Sequence, residues 1–135
     1  RSPMQWSAEE NAGFSEATPW FQVNENYREV NVAAQENDPD SLLNFYRKLV
    51  RFRRDNPVAL YGSYREHEPR NKKLYIYERE YEGQRLLVVC SFTADQVRLD
   101  RGLQVLGNYD VNFVIANGFT TRPYELRVYL FESNE

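Results

Sequence analysis

This 135-residue chain carries twenty acidic side chains, seventeen basic ones, one histidine and one cysteine. Acid–base or nucleophilic chemistry needs two or three such groups brought together. His67 stands in Glu66-His67-Glu68-Pro69-Arg70, a polar stretch between two expected strands, and reads as a surface-loop histidine. Cys90 closes the apolar run Leu86-Leu87-Val88-Val89-Cys90. It reads as a small buried hydrophobe rather than a nucleophile or metal ligand, and a lone cysteine permits no intrachain disulfide. There is no glycine-rich phosphate loop, no paired-cysteine zinc pattern and no His-Glu-x-x-His. Among the many Asp and Glu residues, no spacing marks one pair as acid and base. The net charge of −3 offers no clustered basic face for nucleic acid or an anionic membrane. No apolar run approaches the roughly 20 residues that would span a bilayer.

The elements that must position these groups fall into three parts. Residues 1–37 show no sustained periodicity but hold Trp6, Phe14, Trp20, Phe21 and Tyr27. A loop with this many large rings needs a surface to cover. Residues 38–55 read as a helix, with Asp38 as N-cap, Pro39 in the first position and Asp40 near the positive end. Leu42, Phe45, Tyr46, Leu49 and Phe52 repeat at helical spacing, and Asn56-Pro57 stops the run. Arg47, Lys48, Arg51 and Arg54 read as its solvated back.

From Leu60 onward the period changes to short strands. Leu60–Glu66 and Lys73–Tyr81 alternate, Glu82-Gly83 reads as a hairpin turn, and Leu86–Cys90 reads as a central strand buried on both faces. Weaker strand signals lie at Val97 and Leu99, Leu103–Leu106 and Phe113–Ala116; Leu126, Val128 and Leu130 share a face of a final strand. The expected fold is mainly β: an antiparallel β-sandwich preceded by one long α-helix and an N-terminal loop. Trp6, Trp20 and Phe21 could stack on sugars, but Met-Gln-Trp and Pro-Trp contexts favour wedging the loop against neighbouring structure. Tyr75, Tyr77 and Tyr81 alternate on one strand face and could form a glycan platform; packing against other elements is the favoured reading.

The opening Arg1-Ser2-Pro3-Met4-Gln5-Trp6-Ser7, followed by Asn11-Ala12-Gly13-Phe14 and Pro19-Trp20, resembles a stretch near the end of the catalytic barrel of α-glucosidases in glycoside hydrolase family thirteen. The resemblance points to the group of oligo-1,6-glucosidases, dextran glucosidases, maltases and sucrose isomerases. It continues through Asn24-Glu25-Asn26-Tyr27, Val30-Asn31-Val32 and Asn37-Asp38-Pro39-Asp40-Ser41-Leu42, the last of these similar to the final barrel helix. Leu60-Tyr61-Gly62-Ser63-Tyr64 resembles the crossing into a C-terminal β domain, and Pro123-Tyr124-Glu125 that domain's ending. Ser7 departs from many bacterial relatives, where aspartate is common.

The resemblance implies residues 1–57 as the end of a catalytic (β/α)8 barrel and residues 58–135 as the C-terminal sandwich. It further implies a retaining α-glucosidase acting on terminal α-glucosidic bonds of short oligosaccharides. The catalytic carboxylates are expected upstream, leaving no catalytic residue here. Arg1 is implied as a substrate-binding residue of the parent enzyme, its planar guanidinium suited to vicinal sugar hydroxyls. The alternatives are a glycan-binding β-sandwich module, or a parent that is a sucrose isomerase. No cofactor or metal is expected. The expected partners are an oligosaccharide substrate in the parent and the missing barrel, with self-association of the fragment. A cytoplasmic setting is expected.

Overall fold

The computed structural model describes residues 1–94, 96–97, 103–109 and 119–132. The chain divides into two compact units, Arg1–Arg51 and Phe52–Glu135.

The first unit contains 3-10 turns at Glu10–Gly13 and Glu25–Arg28, helix α1 (Val32–Asn37) and the first part of helix α2 (Leu42–Asp55). Helix α1 lies in the stretch that hydrophobic periodicity reads as a loop; six residues are too few to display a period. Its N-cap is Asn31, whose Oδ1 accepts from Ala34 N–H at 2.9 Å.

Helix α2 begins later than the sequence suggests. Residues 38–41 form a turn in which Asp40 N–H donates to Asp38 Oδ1 at 2.9 Å. The Asp38 carboxylate is spent on this local turn. Ser41 therefore takes the cap: its Oγ accepts from Asn44 N–H at 3.3 Å and its carbonyl from Phe45 N–H at 2.9 Å. Gln35 Oε1 takes the Leu43 N–H at 3.0 Å, so two of the helix's open donors are satisfied from outside it.

In the second unit α2 ends at Asp55 and Pro57 opens a new short helix, α3 (Pro57–Tyr61). The strand expected at Leu60–Glu66 is thus displaced. Leu60 and Tyr61 are helical, and β1 covers only Arg65–His67. Gly62 ends α3 where space is short: a Cβ there would lie 2.4 Å from the Val58 carbonyl oxygen and 2.9 Å from Arg79 Cβ.

The remaining strands are β2 (Leu74–Tyr81), β3 (Gln84–Ser91), β4 (Gln96–Val97), β5 (Leu103–Gly107), β6 (Phe119–Thr120) and β7 (Leu126–Glu132). Five of them form an antiparallel sheet in the order β1-β2-β3-β7-β5, and β4 pairs with β6 in a separate ribbon. The mainly β antiparallel class expected from the sequence is what the described residues display. The β2–β3 hairpin turns on Glu82 and Gly83 with φ of 46° and 78°, the handedness that suits a two-residue hairpin. Leu99 and Phe113–Ala116 lie outside the described residues.

Strand β3 is the middle of the sheet and feeds a core on each face. Leu87 and Val89 join Leu74, Ile76 and Tyr129 on one side. Leu86 and Val88 join Val128, Val58 and Ala59 on the other, where α3 packs. Leu126 and Leu130 share that second face, as their alternation predicts. This two-sided burial is why the β3 sequence runs apolar without alternation.

Candidate functional site

The motif Asn11-Ala12-Gly13 has an unusual backbone. The three residues take φ of 51°, 60° and 65°, the left-handed region. This costs roughly 1–2 kcal/mol for a residue with a Cβ. The return comes from one carbonyl: Ala12 O accepts from both Trp6 N–H (2.9 Å) and Ser7 N–H (3.0 Å). Ala12 is fully buried, and a Cβ on Gly13 would sit 2.6 Å from Ser7 Oγ. Ser7, Ala12 and Gly13 therefore fit as a set.

Gln5 ties this turn to the rest of the first unit. Its Nε2 donates to Asn26 Oδ1 (3.1 Å) and to Val30 O (2.6 Å), while its Oε1 accepts from Asn24 Nδ2 (2.9 Å). Its carbonyl takes Val32 N–H at 2.9 Å, and Trp6 O takes Ala33 N–H at 3.0 Å. The Met-Gln-Trp segment is thus the thread on which α1 and the turn at Glu25–Arg28 hang. A groove of about 300 Å³ opens beside it between Ser2–Gln5 and Val30–Val32. Hydrophobic periodicity cannot find such a network. The density of Asn and Gln in residues 1–37 was the available signal.

Arg1 is exposed at the start of this segment. Trp20 is 95% exposed and meets Phe21 edge to face at 5.1 Å; Trp6 and Phe14 are about half exposed. The first unit itself does not bury these rings.

Among the described residues two carboxylates are buried in the second unit, Glu78 and Glu125; sequence reasoning assigned neither a role beyond the place of Glu125 in Pro123-Tyr124-Glu125. Glu78, on β2, sits with Arg65 on its Oε1, His67 Nε2 3.0 Å from its Oε2 and Arg85 at 4.0 Å. Burial alone would raise its pKa, but the Arg65 guanidinium and the neighbouring imidazole together hold it below the ordinary carboxylate range. His67 belongs to β1, opposite Ile76, and not to a loop. Glu125 accepts from buried Arg127 Nε at 2.8 Å and from Arg122 N–H at 2.6 Å. Burial would lower Arg127; Glu125 and Tyr129 outweigh it and raise it. Each of these two carboxylates is engaged by a guanidinium within the sheet domain, an arrangement that holds structure. Cys90 is half-buried and its thiol is pushed up by that burial, away from reactivity.

The tyrosines do share a face. Tyr77 lies 5.4 Å from Tyr75 and 5.5 Å from Tyr64, and Tyr61 lies 5.8 Å from Tyr81. The Tyr64 and Tyr75 hydroxyls meet at 2.9 Å. Among the described residues no group of His, Cys, Asp and Glu is placed to hold a metal ion, and no described helix is long and apolar enough to cross a membrane.

Residues 1–62 match the family described as alpha amylase, catalytic domain. The chain is 39% identical to an oligo-1,6-glucosidase of Halalkalibacterium halodurans over 96% of its own length and 25% of that protein. It is 36% identical to an alpha-glucosidase of Candida albicans over 98% of this chain and 24% of the relative. A solved isomaltulose synthase of Erwinia rhapontici, in complex with its natural substrate sucrose, superposes with a TM-score of 0.86. It is 35% identical, over 95% of this chain and 24% of that one. The chain thus spans about a quarter of the length of the relatives it matches.

Proposed function

The chain belongs to glycoside hydrolase family thirteen, the α-amylase family, and from that premise we propose that it is the C-terminal part of an α-glucosidase. The parent hydrolyses terminal α-glucosidic bonds of short oligosaccharides with retention. The observation that carries this reading is 39% identity to an oligo-1,6-glucosidase across nearly the whole chain but only a quarter of the relative. A retaining glycosidase needs two carboxyls about 5 Å apart across the scissile bond. Here both carboxylates buried among the described residues are bound by guanidinium groups, which supports placing the catalytic pair in the rest of the enzyme.

In this reading residues 1–57 finish the catalytic barrel and residues 58–135 form the supporting β domain. The strained Asn11-Ala12-Gly13 turn and the Gln5 network hold the segment that Arg1 heads. Arg1 binds hydroxyls of the terminal glucose in the parent, where its fork of donors fits vicinal oxygens. A cytoplasmic setting belongs to the same reading.

The test compares this chain with the longer enzyme on p-nitrophenyl α-glucoside. The longer enzyme should release nitrophenol and this chain should not; turnover by the 135-residue chain would overturn the reading. A second reading, that the parent isomerises sucrose, is favoured by the likeness to the isomaltulose synthase structure. Product analysis on sucrose and isomaltose separates the two: free glucose from isomaltose supports hydrolysis, and isomaltulose from sucrose supports isomerisation.

A further inference from the structure

Asn24 stands at the cap of the 3-10 turn Glu25–Arg28, where an asparagine side chain ordinarily accepts from the turn's own open amides. It makes no such bond. Its carbonyl takes Tyr27 N–H at 3.2 Å, but its side-chain amide is turned to a distant part of the chain. Nδ2 donates to Gln5 Oε1 at 2.9 Å and to Ser2 Oγ at 3.4 Å. Ser2 is the neighbour of Arg1, and along the chain this is the hydrogen bond closest to Arg1 among the described residues. The link between the two grips is stiff. Pro3 is buried; its ring fixes its own φ at about −65° and confines Ser2 to extended backbone. Gln5 cannot turn its Oε1 away from Asn24 without breaking the bonds of its Nε2 to Asn26 Oδ1 and Val30 O. One amide group thus ties both ends of the segment Ser2–Gln5.

We infer that Asn24 is a positioning residue of the longer enzyme: through Ser2 and Gln5 it sets where the Arg1 guanidinium meets the terminal glucose. The inference rests on the role proposed above for Arg1. A rigid fork of donors matches vicinal hydroxyls only when it is held in register with them. A displacement of about 1 Å in such a positioning contact can cost on the order of 100-fold in rate. The arginine side chain is long and rotatable, so its register has to be set from the backbone that carries it. Asn24 fixes that backbone one residue away.

A purely local role fits Asn24 less well. A residue whose task was to begin the turn would spend its side-chain oxygen on the turn's amides. Asn31, a few residues on, does this for α1 by accepting from Ala34 N–H. Asn24 instead reaches 22 and 19 residues back, both times to the segment that Arg1 heads.

A double-mutant cycle in the longer enzyme tests the inference, with p-nitrophenyl α-glucoside as substrate. Asn24→Asp keeps the size of the side chain but sets an acceptor against Gln5 Oε1 where a donor stood. It also offers the turn a carboxylate cap, so the fold has no reason to weaken. kcat/KM should fall about ten-fold with the thermal midpoint unchanged. In an Arg1→Ala background the same substitution should change kcat/KM by less than about two-fold, because the group being positioned is gone. Ser2→Ala deletes only the hydroxyl and should cost about three-fold, again only while Arg1 is present. Equal losses with and without Arg1, or a midpoint that falls together with activity, would overturn the inference and make Asn24 a residue of the fold. Full activity in Asn24→Asp would overturn it as well. If Arg1→Ala alone left kcat/KM unchanged, the proposed role of Arg1 would fail and take this inference with it, while the assignment to the family would stand.

Discussion

Residues 1–51 bury four side chains, Pro3, Ala12, Asn31 and Ser41, none of them a large hydrophobe. The second unit buries Leu74, Ile76, Leu86, Leu87, Val88, Val89, Val128 and Tyr129 around one sheet. One region is held by amide and hydroxyl hydrogen bonds, each worth about 1 kcal/mol net. The other is held by apolar burial at about 25 cal/mol per Å². Helix α2 shows the contrast within one element. Its sequence is amphipathic, yet Leu42, Tyr46 and Val50 are 75%, 64% and 52% exposed and none of its residues is buried. A region with hydrophobic patterning but no core of its own gains stability by burying that pattern against something else. Local opening should therefore be much easier in residues 1–51 than in the sheet.

The largest test of this comparison is Glu125→Gln. It removes the carboxylate charge that faces buried Arg127, and breaking such a pair typically costs about 3–5 kcal/mol. Chemical denaturation followed by far-ultraviolet circular dichroism should show the sheet's midpoint collapse. A loss below 1 kcal/mol would mean that the sheet does not depend on this pair. Glu78 should matter less, because its partners Arg65 and Arg85 are 66% and 42% exposed and regain water when it is removed. Glu78→Gln should cost about 1–2 kcal/mol at neutral pH. Its pKa is lowered on folding, so its contribution is complete above the ordinary carboxylate range and is lost as pH falls through that range towards the folded value. Stability measured against pH should fall less steeply on acidification in Glu78→Gln than in the parent chain; parallel curves would refute the assignment.

What could be read from the sequence follows the same division. Strands β2, β3 and β7, the stop at Pro57 and the Glu82-Gly83 turn were legible because two-residue alternation and turn chemistry are local signals. Helix α1 and the late start of α2 were not. They depend on Asn31, Gln35, Asp38 and Ser41 bonding to backbone several residues away, and a run of polar residues does not announce which will cap. The motifs of residues 1–14 marked a family, but their physical content appears only in three dimensions. Ala12 O serves two amides through a left-handed turn, and Gly13 leaves room for Ser7. Glu78 was invisible because strand register buries it, and a carboxylate in an alternating strand looks like any other outward residue; Glu125 stands just ahead of β7, where no periodicity marks it as buried.

Asn31→Ala sharpens the comparison from the other side. Asn31 caps α1 through its Oδ1 and ties back to Tyr27 O through its Nδ2 at 2.9 Å. Losing a cap costs about 1 kcal/mol. Since the first unit has little burial to lose, the effect should be local: faster amide exchange over residues 32–37, with the sheet amides unchanged. Loss of protection throughout β3 and β7 would show that the two regions unfold together and that the contrast in their forces has no energetic consequence.

The smallest effect is expected at the Arg47–Glu36 ion pair, which links α2 to α1 at 2.8 Å. Its side chains are 45% and 50% exposed, so water competes for both charges and salt screens them. Glu36→Gln should change stability by roughly 0.2–1 kcal/mol, and the difference should shrink as salt is raised. Arg47 also bonds Asn44 Oδ1 at 3.3 Å, and Asn44 itself holds the carbonyls of Gln35 and Asp38 at 2.9 and 2.7 Å. The helix pair thus keeps its uncharged connections when the charge is removed. Amide exchange of α1 and α2 in low and high salt, in both chains, measures the difference. A loss above about 2 kcal/mol that persists in high salt would place real cohesion in the charges of the first unit, against the hydrogen-bonded picture drawn for it.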